Sequence, residues 1–408
     1  MAIFRTSFLL FLLCNGALRA DDWTAWRGPT GQGHCAEKGV LLDWSDKENV
    51  KWKIPLTHQG NSTPIIYREK ILLTQADKDG TVRSLLWLAR EGGKLLWQQD
   101  VPYGEKERNW NPNWYCNASP TTDGERVVVS FGSAGVYCYD LAGKELWKRT
   151  DLGTWEHAFG NAASPVLYGD LVVQWCGPND KGRNFLIAMK KQTGETVWEH
   201  NEKAGSWGTP LITKVGGQDQ LLLATVPHLK GIEPLTGKEL WYCEGLNKYV
   251  YTSPLAADGL AVAMSGYTGA AFGVRLGGSG DITADRLWLH PTNIQRVGSG
   301  VIVGGHAYIV EENGVPHCYE LQTGEEVWQV EKRPGGGTTW GSMVHVDGRL
   351  YVLMRNGSTQ VFAANPKYEL LKTNNLGPGE QTNSSLAISN GEIFIRTFRH
   401  LYCIAPTK

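Results

Sequence analysis

The sequence lacks the short patterns that usually mark a metal centre or a redox site. Its eight cysteines include no adjacent pair and no C-x-x-C, which argues against a zinc knuckle or a redox dithiol. Its ten histidines form neither H-x-x-x-H nor H-E-x-x-H. Nothing in the chain resembles a phosphate-binding glycine loop. The sequence therefore predicts no metal ligands and no catalytic residues.

Charge of one sign and long apolar runs are also missing. Lys and Arg number 40 against 41 Asp and Glu, without basic clusters, which argues against nucleic acid as a partner. After the N-terminus no apolar run is long enough to span a membrane. Methionine is scarce at 5, whereas glycine reaches 49 and tryptophan 17. With no long amphipathic helical pattern, this composition is typical of an all-β protein with many turns.

The N-terminus carries the pattern of an export signal, predicted over residues 1–20. Arg5 gives the positive start, residues 8–13 are apolar, and Ala20 precedes the expected cut. The prediction is a secreted or periplasmic protein. Cys14 suggests a lipid anchor as an alternative, but Leu13 stands where that signal needs a small residue.

A glycine turn followed by a strand that ends in tryptophan is repeated along the chain. Clear copies lie at residues 93–97, 143–147, 194–198, 237–241 and 324–328. Three more strands without this turn end at Trp52, Trp288 and Leu371, which makes eight copies spaced 40 to 51 residues apart. Glycine provides the positive φ of a tight turn, and a fixed period of this length indicates a repeat architecture.

Each repeat holds four short strands, and four strands in eight repeats are the pattern of a β-propeller. We therefore predict an all-β, eight-bladed propeller of four-stranded antiparallel blades over residues 44–408. The recurring tryptophan is then a core residue between blades. Residues 21–43 have no repeat period and are expected to pack across an end or side of the array.

The two ends of the chain complement one another. The last strands, residues 393–395 and 401–404, have no tryptophan strand of their own, while the strand of Trp52 has no repeat before it. Pairing the N-terminal strand with the C-terminal strands closes the ring and removes an open edge.

Three cysteines occupy the same position in different repeats: Cys138, Cys318 and Cys403. Because a disulfide needs Cα atoms within roughly 7 Å, these three are predicted to be free, buried thiols. The pairing of Cys35, Cys116, Cys176 and Cys243 stays open.

These repeats resemble the pyrroloquinoline-quinone (PQQ)-like propeller repeat over residues 44–408. The opening Trp23-x-x-Trp26-Arg27-Gly28-Pro29 resembles the start of secreted bacterial members of that superfamily. The resemblance implies either a quinoprotein alcohol dehydrogenase or a non-enzymatic scaffold of the BamB-like type. The dehydrogenase branch commonly has an adjacent Cys-Cys pair beside the quinone, which this chain lacks, and a calcium ion held by Glu, Asn and Asp.

No calcium-binding segment of that branch can be assigned to this sequence. The nearest carboxylate–amide groupings are Glu156 with Asn161 and Glu311-Glu312-Asn313, and both are interpreted as solvated loop residues. No cofactor is therefore expected. PQQ with calcium belongs only to the alternative reading.

One residue per repeat, at the start of the innermost strand, is predicted to face one mouth of the central channel. These mouth positions are Asn61, Asn117, Ala162, Trp207, Tyr251, Val297, Trp340 and Asn383. None is acidic, so the ring is suited to binding and not to catalysis. The predicted ligand-binding residues are Asn61, Asn117, Trp207, Tyr251, Arg296, Trp340 and Asn383. Loop residues expected on the same face are Trp110, Trp114, Tyr115, Trp155 and Tyr249.

The sequence thus predicts a non-catalytic binding or interaction module for a small-molecule or peptide ligand, or for a protein partner at the propeller face. Three alternatives stay open. The first is a PQQ-dependent alcohol or sugar dehydrogenase, the second is a BamB-like outer-membrane assembly scaffold, and the third is an inert, filled channel.

Overall fold

The computed structural model describes residues 22–105, 107–108, 110 and 113–407. The predicted export signal, residues 1–20, lies outside these ranges. The strands form eight sheets, arranged as the blades of a propeller. Two 3₁₀ turns, Gly132–Ala134 and Thr283–Asp285, are the other regular elements of the described residues. The predicted eight-bladed all-β propeller is confirmed.

The strands are numbered β1 to β33 in chain order. Blade 1 contains β3 (Ile65–Tyr67), β4 (Lys70–Ala76), β5 (Val82–Ala89) and β6 (Leu95–Pro102), and blade 2 contains β7 (Thr121–Thr122), β8 (Arg126–Ser130), β9 (Val136–Asp140) and β10 (Glu145–Arg149). Blade 3 contains β11 (Val166–Tyr168), β12 (Leu171–Cys176), β13 (Asn184–Lys190) and β14 (Thr196–Glu202). Blade 4 contains β15 (Leu211–Val215), β16 (Gln218–Thr225), β17 (His228–Ile232) and β18 (Glu239–Glu244), with β22 (Gly280–Asp281) added at its edge.

The second half of the ring follows the same plan. Blade 5 contains β19 (Leu255–Ala257), β20 (Leu260–Met264), β21 (Ala271–Arg275) and β23 (Arg286–His290), and blade 6 contains β24 (Val301–Val303), β25 (His306–Val310) and β26 (Pro316–Glu320). Blade 7 contains β27 (Val344–Val346), β28 (Arg349–Leu353), β29 (Ser358–Ala363) and β30 (Leu370–Asn375), with β1 (His34–Cys35) added at its edge. Blade 8 contains β31 (Ala387–Ser389), β32 (Glu392–Arg396), β33 (His400–Ile404) and β2 (Val50–Pro55).

Burial within a blade follows from its neighbours. The second strand is covered on both faces by adjacent blades, so β12 is buried at all of its residues and is apolar except for Gln174. The outermost strand faces solvent on one side, so the side chains of β14 alternate between exposed and buried over most of its length. The amphipathic outer strand and the apolar middle strand therefore come from one architecture.

The recurring tryptophan and glycine meet across four of the joints between blades. The Trp198 indole N–H donates to the Pro234 carbonyl of the next blade at 3.1 Å. Gly237 in that blade adopts a φ of +72°, and a Cβ there would lie 2.5 Å from the Trp198 ring. The motif thus needs glycine for its turn conformation and for the close approach of the neighbouring indole. The predicted role of the tryptophan as a core residue between blades is confirmed for Trp147, Trp198, Trp241, Trp288 and Trp328, which are all buried.

A second set of contacts between blades forms a ring around the channel. Two residues after each mouth position stands a serine or threonine, and we call these eight residues the hydroxyl belt: Thr63, Ser119, Ser164, Thr209, Ser253, Ser299, Ser342 and Ser385. At six joints the belt hydroxyl of one blade accepts the backbone N–H of the belt residue in the preceding blade, at 2.8 to 3.0 Å. The belt therefore satisfies buried amides that no strand of the same blade can reach.

The ring closes as predicted, because β2 pairs antiparallel with β33, from Val50 opposite Ile404 to Pro55 opposite His400. Blade 6 differs from the prediction of four strands in every blade. After β26 only an isolated bridge, Tyr319 with Glu326, continues its sheet. The chain then enters a segment with Pro334 and three glycines, which cannot continue a ladder.

The N-terminal strap, residues 22–44, crosses the ends of the innermost strands that lie away from the mouth. The backbones of Trp23 and Ile66 bond in both directions at 2.9 Å. The buried Arg27 guanidinium donates to the Gly300 carbonyl of blade 6. Further on, β1 pairs in parallel with β27 of blade 7. The strap therefore joins blades on opposite sides of the ring.

Cysteines in the described chain are structural. Cys138, Cys318 and Cys403 are buried and free, as predicted, and so are Cys116, Cys176 and Cys243. Burial raises the pKa of the Cys116 thiol to about 11, which keeps it protonated and unreactive. None of the helices among the described residues is long and apolar enough to cross a membrane.

Candidate functional site

All eight mouth positions line one cavity of about 260 Å³ at the end of the channel. The hydroxyl belt explains why they converge. In an extended strand residues i and i+2 point the same way, so a belt residue aimed at the channel directs the mouth residue there as well. Belt members Thr63, Thr209, Ser342 and Ser385 line the deeper part of the same cavity.

Aromatic side chains cover the side of the mouth formed by blades 3 to 5. The Trp207 ring contacts Tyr251, with centroids 4.9 Å apart, and His157 at 4.6 Å, both edge to face. Phe159 stacks on Tyr267 at 6.1 Å. Burial is the main cause that raises the pKa of Tyr251, and burial lowers the pKa of His157, so both groups are uncharged at neutral pH. This side therefore presents flat, neutral ring faces.

Tyr267 reaches the mouth on a strained turn. Tyr267 and Thr268 have φ of +45° and +57°, in a hairpin closed by the Gly269 N–H bonded to the Gly266 carbonyl at 2.7 Å. Such turns favour Asn-Gly, and a bulky residue with positive φ is costly there. Tyr267 is nevertheless 40% exposed. The strained backbone thus places an exposed aromatic ring in the cavity wall.

Polar groups cover the side formed by blades 1 and 2. The Asn61 amide N–H₂ donates to Asn113 Oδ1 at 2.7 Å and to Asn117 Oδ1 at 2.6 Å. Asn117 and Asn113 in turn donate to the carbonyls of Asn161 and Phe159. Asn61 Oδ1 is buried and accepts no hydrogen bond from the described residues. These bonds hold the amides in place.

A carboxylate completes the lining, on the side of blades 6 to 8. Glu312 lies in the cavity wall and accepts the Trp340 indole N–H at 2.7 Å and the Gln295 amide. Arg355 lies on the other side of Trp340, with its guanidinium carbon 4.4 Å from the ring centroid. The interpretation of Glu312 as a solvated loop residue was therefore wrong: its loop folds inward because Trp340 and Gln295 donate to it.

Trp26 of the N-terminal strap closes the cavity from below. It lines both the mouth cavity and a second cavity of about 490 Å³ at the opposite end of the channel. Trp26 therefore lies between the two cavities. The sequence placed the strap across an end of the array but gave no signal that one of its side chains enters the channel.

The other predicted site residues are divided. Trp110 lines the cavity and is 56% exposed, and Tyr249 is 45% exposed beside Trp207. Trp114, Tyr115 and Trp155 do not line this cavity. Sequence reasoning missed Trp26, Asn113, Phe159, Tyr267 and Gln295, which do. The paired glycines around Tyr267 were the one available signal, since Gly-x-x-Gly between two strands marks a tight hairpin.

Arg296 has a role different from the predicted one. It is fully buried, does not line the cavity, and donates to the carbonyls of Ile294, Gly269 and Ala270. Burial lowers its pKa to about 10, so it stays charged at neutral pH. It therefore supports the hairpin that carries Tyr267, and it cannot touch a ligand in the cavity.

The acid groups present limit the chemistry of the site. Within the described ranges no three His, Cys, Asp or Glu side chains are grouped so as to hold a metal ion. Among the described residues that line the cavity, Glu312 is the one carboxylate, and neither lysine nor arginine contributes. The arrangement can stack a flat ring and hydrogen-bond its edge.

Comparison with known proteins places this geometry among propellers of two kinds. The sequence model of the family described as outer membrane protein assembly factor BamB matches residues 78–330. BamB from Moraxella catarrhalis superposes with a TM-score of 0.61 at 15% identity, covering 90% of this chain and 97% of its own. A europium-containing methanol dehydrogenase reaches 0.68 at 11% identity, covering 95% and 98%.

A third similar structure is the quinohemoprotein alcohol dehydrogenase from Comamonas testosteroni. It has a TM-score of 0.67 at 11% identity and covers 97% of this chain and 82% of its own. No curated protein sequence matches the chain. At these identities the structural likeness establishes the propeller fold alone.

Proposed function

This chain belongs to the family described as outer membrane protein assembly factor BamB, and from that premise we propose that it is a non-catalytic binding module whose ligand enters the mouth cavity. The observation that carries the proposal is that aromatic rings line one side of the mouth cavity and side-chain amides line the other. Rings of Phe159, Trp207, Tyr251 and Tyr267 face the amides of Asn61, Asn117 and Asn383 across about 260 Å³. That volume is just below the usual range for drug-sized ligands, so it fits a single ring.

A small saccharide fits a cavity with aromatic rings on one side and amides on the other. Its C–H face packs on aromatic rings, and its hydroxyls pair with amides that both donate and accept. The amide groups on that side favour the same ligand class, because a purely apolar ligand would cover them without a hydrogen bond, and each polar group left unpaired costs about 1–3 kcal/mol.

The dehydrogenase alternative fits this donor set poorly. PQQ is a planar tricarboxylate, and no cationic side chain is among the described residues of the cavity lining. Calcium needs several converging oxygens, but both oxygens of Glu312 already accept hydrogen bonds from Trp340 and Gln295. We therefore propose no cofactor. Dye reduction by the protein with added PQQ, calcium and an alcohol would contradict this.

A protein partner at the same face is the second candidate. Trp110, Tyr249 and Tyr267 are more than one-third exposed and lie together at the rim. Exposed aromatic clusters of this kind are enriched in protein interfaces. The family description names an assembly factor, which supports a partner of this type. Export to the periplasm or outside the cell is proposed from the pattern of residues 1–20.

The test is a titration of tryptophan fluorescence with neutral methyl glycosides and disaccharides of glucose, galactose and N-acetylglucosamine. Tyr267→Ala should weaken binding at least about tenfold, because ring burial and stacking together contribute more than 1.4 kcal/mol. Tyr242→Ala, on the outer strand β18, is the matched control and should bind normally. Equal affinity of the two variants, or no binding to any saccharide, would reject the proposal.

A further inference from the structure

A second, larger cavity adjoins the mouth between blades 7 and 8. This trough has a volume of about 1030 Å³ and is lined partly by residues 337–338 and 377–379 of two glycine-rich loops. Asn383 lines both the trough and the mouth cavity. A ligand that extends out of the mouth past Asn383 therefore enters the trough.

Arg355 is the side chain that links the two cavities. It lines the trough, its Nε donates to Asn383 Oδ1 at 3.0 Å, and its guanidinium packs on Trp340. These contacts hold the plane of the guanidinium. Its two terminal nitrogens make no hydrogen bond to any described residue, and it forms no ion pair within that part of the chain.

This cation is partly withdrawn from water, and no described acid forms an ion pair with it. Burial lowers the pKa of Arg355, and the charge of Glu312 opposes that shift only from a distance. A partly desolvated guanidinium without a hydrogen-bonded acid favours an anionic ligand, because a carboxylate accepts two parallel N–H bonds from it.

The acids of the trough do not remove that preference. Glu380 is 6% exposed and is already paired with Lys53 at 3.2 Å, His400 at 2.8 Å and the Tyr402 hydroxyl at 2.7 Å. Arg333 contributes a second cation to the lining, and Asp46 a second acid. Arg355 is thus the positioned cation beside the mouth.

We propose that the trough is an anion subsite and that the ligand is a carboxylated saccharide, with its sugar ring in the mouth cavity and its carboxylate on Arg355. This inference rests on the proposed function, because the ring must lie in the mouth for its acid group to reach the trough. It adds specificity: an acidic sugar should bind more tightly than the neutral sugar of the same ring.

The test compares matched sugars by isothermal titration. The pairs are methyl glucoside with methyl glucuronide, methyl galactoside with methyl galacturonide, and cellobiose with cellobiouronic acid, each differing only by a carboxylate in place of –CH₂OH. The acid of at least one pair should bind about tenfold tighter or more, as expected for hydrogen bonds to a charged group. That preference should fall as salt rises.

Arg355→Gln should abolish the preference, so that the acidic and the neutral sugar bind this variant within about twofold of one another, and Arg355→Lys should keep part of the preference. Arg399→Gln, an exposed arginine that lines neither cavity, is the control. The melting temperature of each variant shows whether it folds.

The possible failures are distinguishable. Equal affinity for acid and neutral sugars, or a preference that survives Arg355→Gln, overturns the subsite and leaves the proposed function standing. No binding of either sugar overturns the proposed function together with the subsite. Binding of a short peptide through its C-terminal carboxylate, with no saccharide bound, also overturns the inference because it assigns Arg355 to another ligand class.

Discussion

The hydroxyl belt and the mouth positions lie two residues apart on the same eight segments, yet the belt repeats one chemistry and the mouth positions do not. Each belt residue is a serine or threonine, and at six joints its hydroxyl accepts a backbone N–H of the preceding blade. The mouth positions hold three asparagines, three aromatics, one alanine and one valine around a shared cavity.

The two sets of positions differ because repeat symmetry is required at the belt and not at the mouth. The belt makes the same bond at successive joints, so each repeat needs the same chemistry there. The mouth residues share one cavity, so different repeats can contribute different groups to it. Uniform positions in this propeller are therefore explained by ring assembly, and the diverse positions beside them are the ones that we propose for binding.

We expect the largest loss of stability from opening the ring. Deleting residues 44–56 removes β2 and leaves the edge of β33 unpaired. We expect loss of the cooperative thermal transition or a fall of more than 15 °C in Tm, since several kcal/mol of burial and hydrogen bonding are lost. A synthetic peptide of residues 44–56 should restore part of the lost stability. A deletion variant as stable as the parent would contradict ring closure by this strand.

Within one segment the belt and the mouth can be separated directly. Ser164→Ala leaves the buried Ser119 N–H without its acceptor and should lower the free energy of unfolding by about 1–3 kcal/mol. Ala162→Ser, at the mouth position of the same blade, should change it by less than about 0.5 kcal/mol. Urea unfolding measures both, and similar values would remove the distinction between the two rings.

The strained hairpin of Tyr267 gives the opposite case, because changing it should raise stability and weaken the proposed binding. Tyr267→Asn with Thr268→Gly supplies the residues that its positive φ values favour, so stability should rise by about 1 kcal/mol. The same change should weaken saccharide binding about tenfold, because the ring is lost. Thr268→Gly alone is the control and should raise stability with binding intact. A destabilised double variant would show that the turn is not strained.

The smallest effect concerns the strap below both rings. Burial, with the neighbouring His345 and Arg27, lowers the pKa of His34 to about 4, while Asp347 opposes the burial shift of His345. The unfolded chain therefore binds more protons than the folded one, and stability is lost as pH falls from 6.5 towards 4. Between pH 7 and 5.5 we expect Tm to fall by about 1–2 °C. His34→Gln should reduce that fall, and an unchanged pH profile would argue against this pairing.

Much of the fold could be predicted because it follows from a period. Five copies of a glycine turn with a tryptophan strand, and three further strands in the same period, give the blade number, and the unpaired strand of Trp52 indicates closure. The incomplete blade 6 was missed because Gly324-Glu325-Glu326-Val327-Trp328 has the full motif, while Pro334 and the glycines that end the strand follow it.

The site was predictable only where it follows the repeat. All eight mouth positions line the cavity because their register is set by the belt. Glu312, Tyr267 and Trp26 come from loops and from the strap, whose paths depend on contacts distant in sequence. Arg296 shows the opposite error: a charged residue next to a mouth position was assigned to the ligand, although it supports the Tyr267 hairpin.

The most direct test of the central claim is ¹⁹F NMR of protein labelled with 5-fluorotryptophan, titrated with the tightest-binding saccharide. Tryptophan-to-phenylalanine variants assign the resonances. We expect the resonances of the tryptophans that line the cavity to shift: Trp26, Trp110, Trp207 and Trp340. We expect no shift at the tryptophans buried between blades: Trp147, Trp198, Trp241 and Trp328. Shifts confined to the tryptophans between blades, or no shift at saturation, would contradict the central claim.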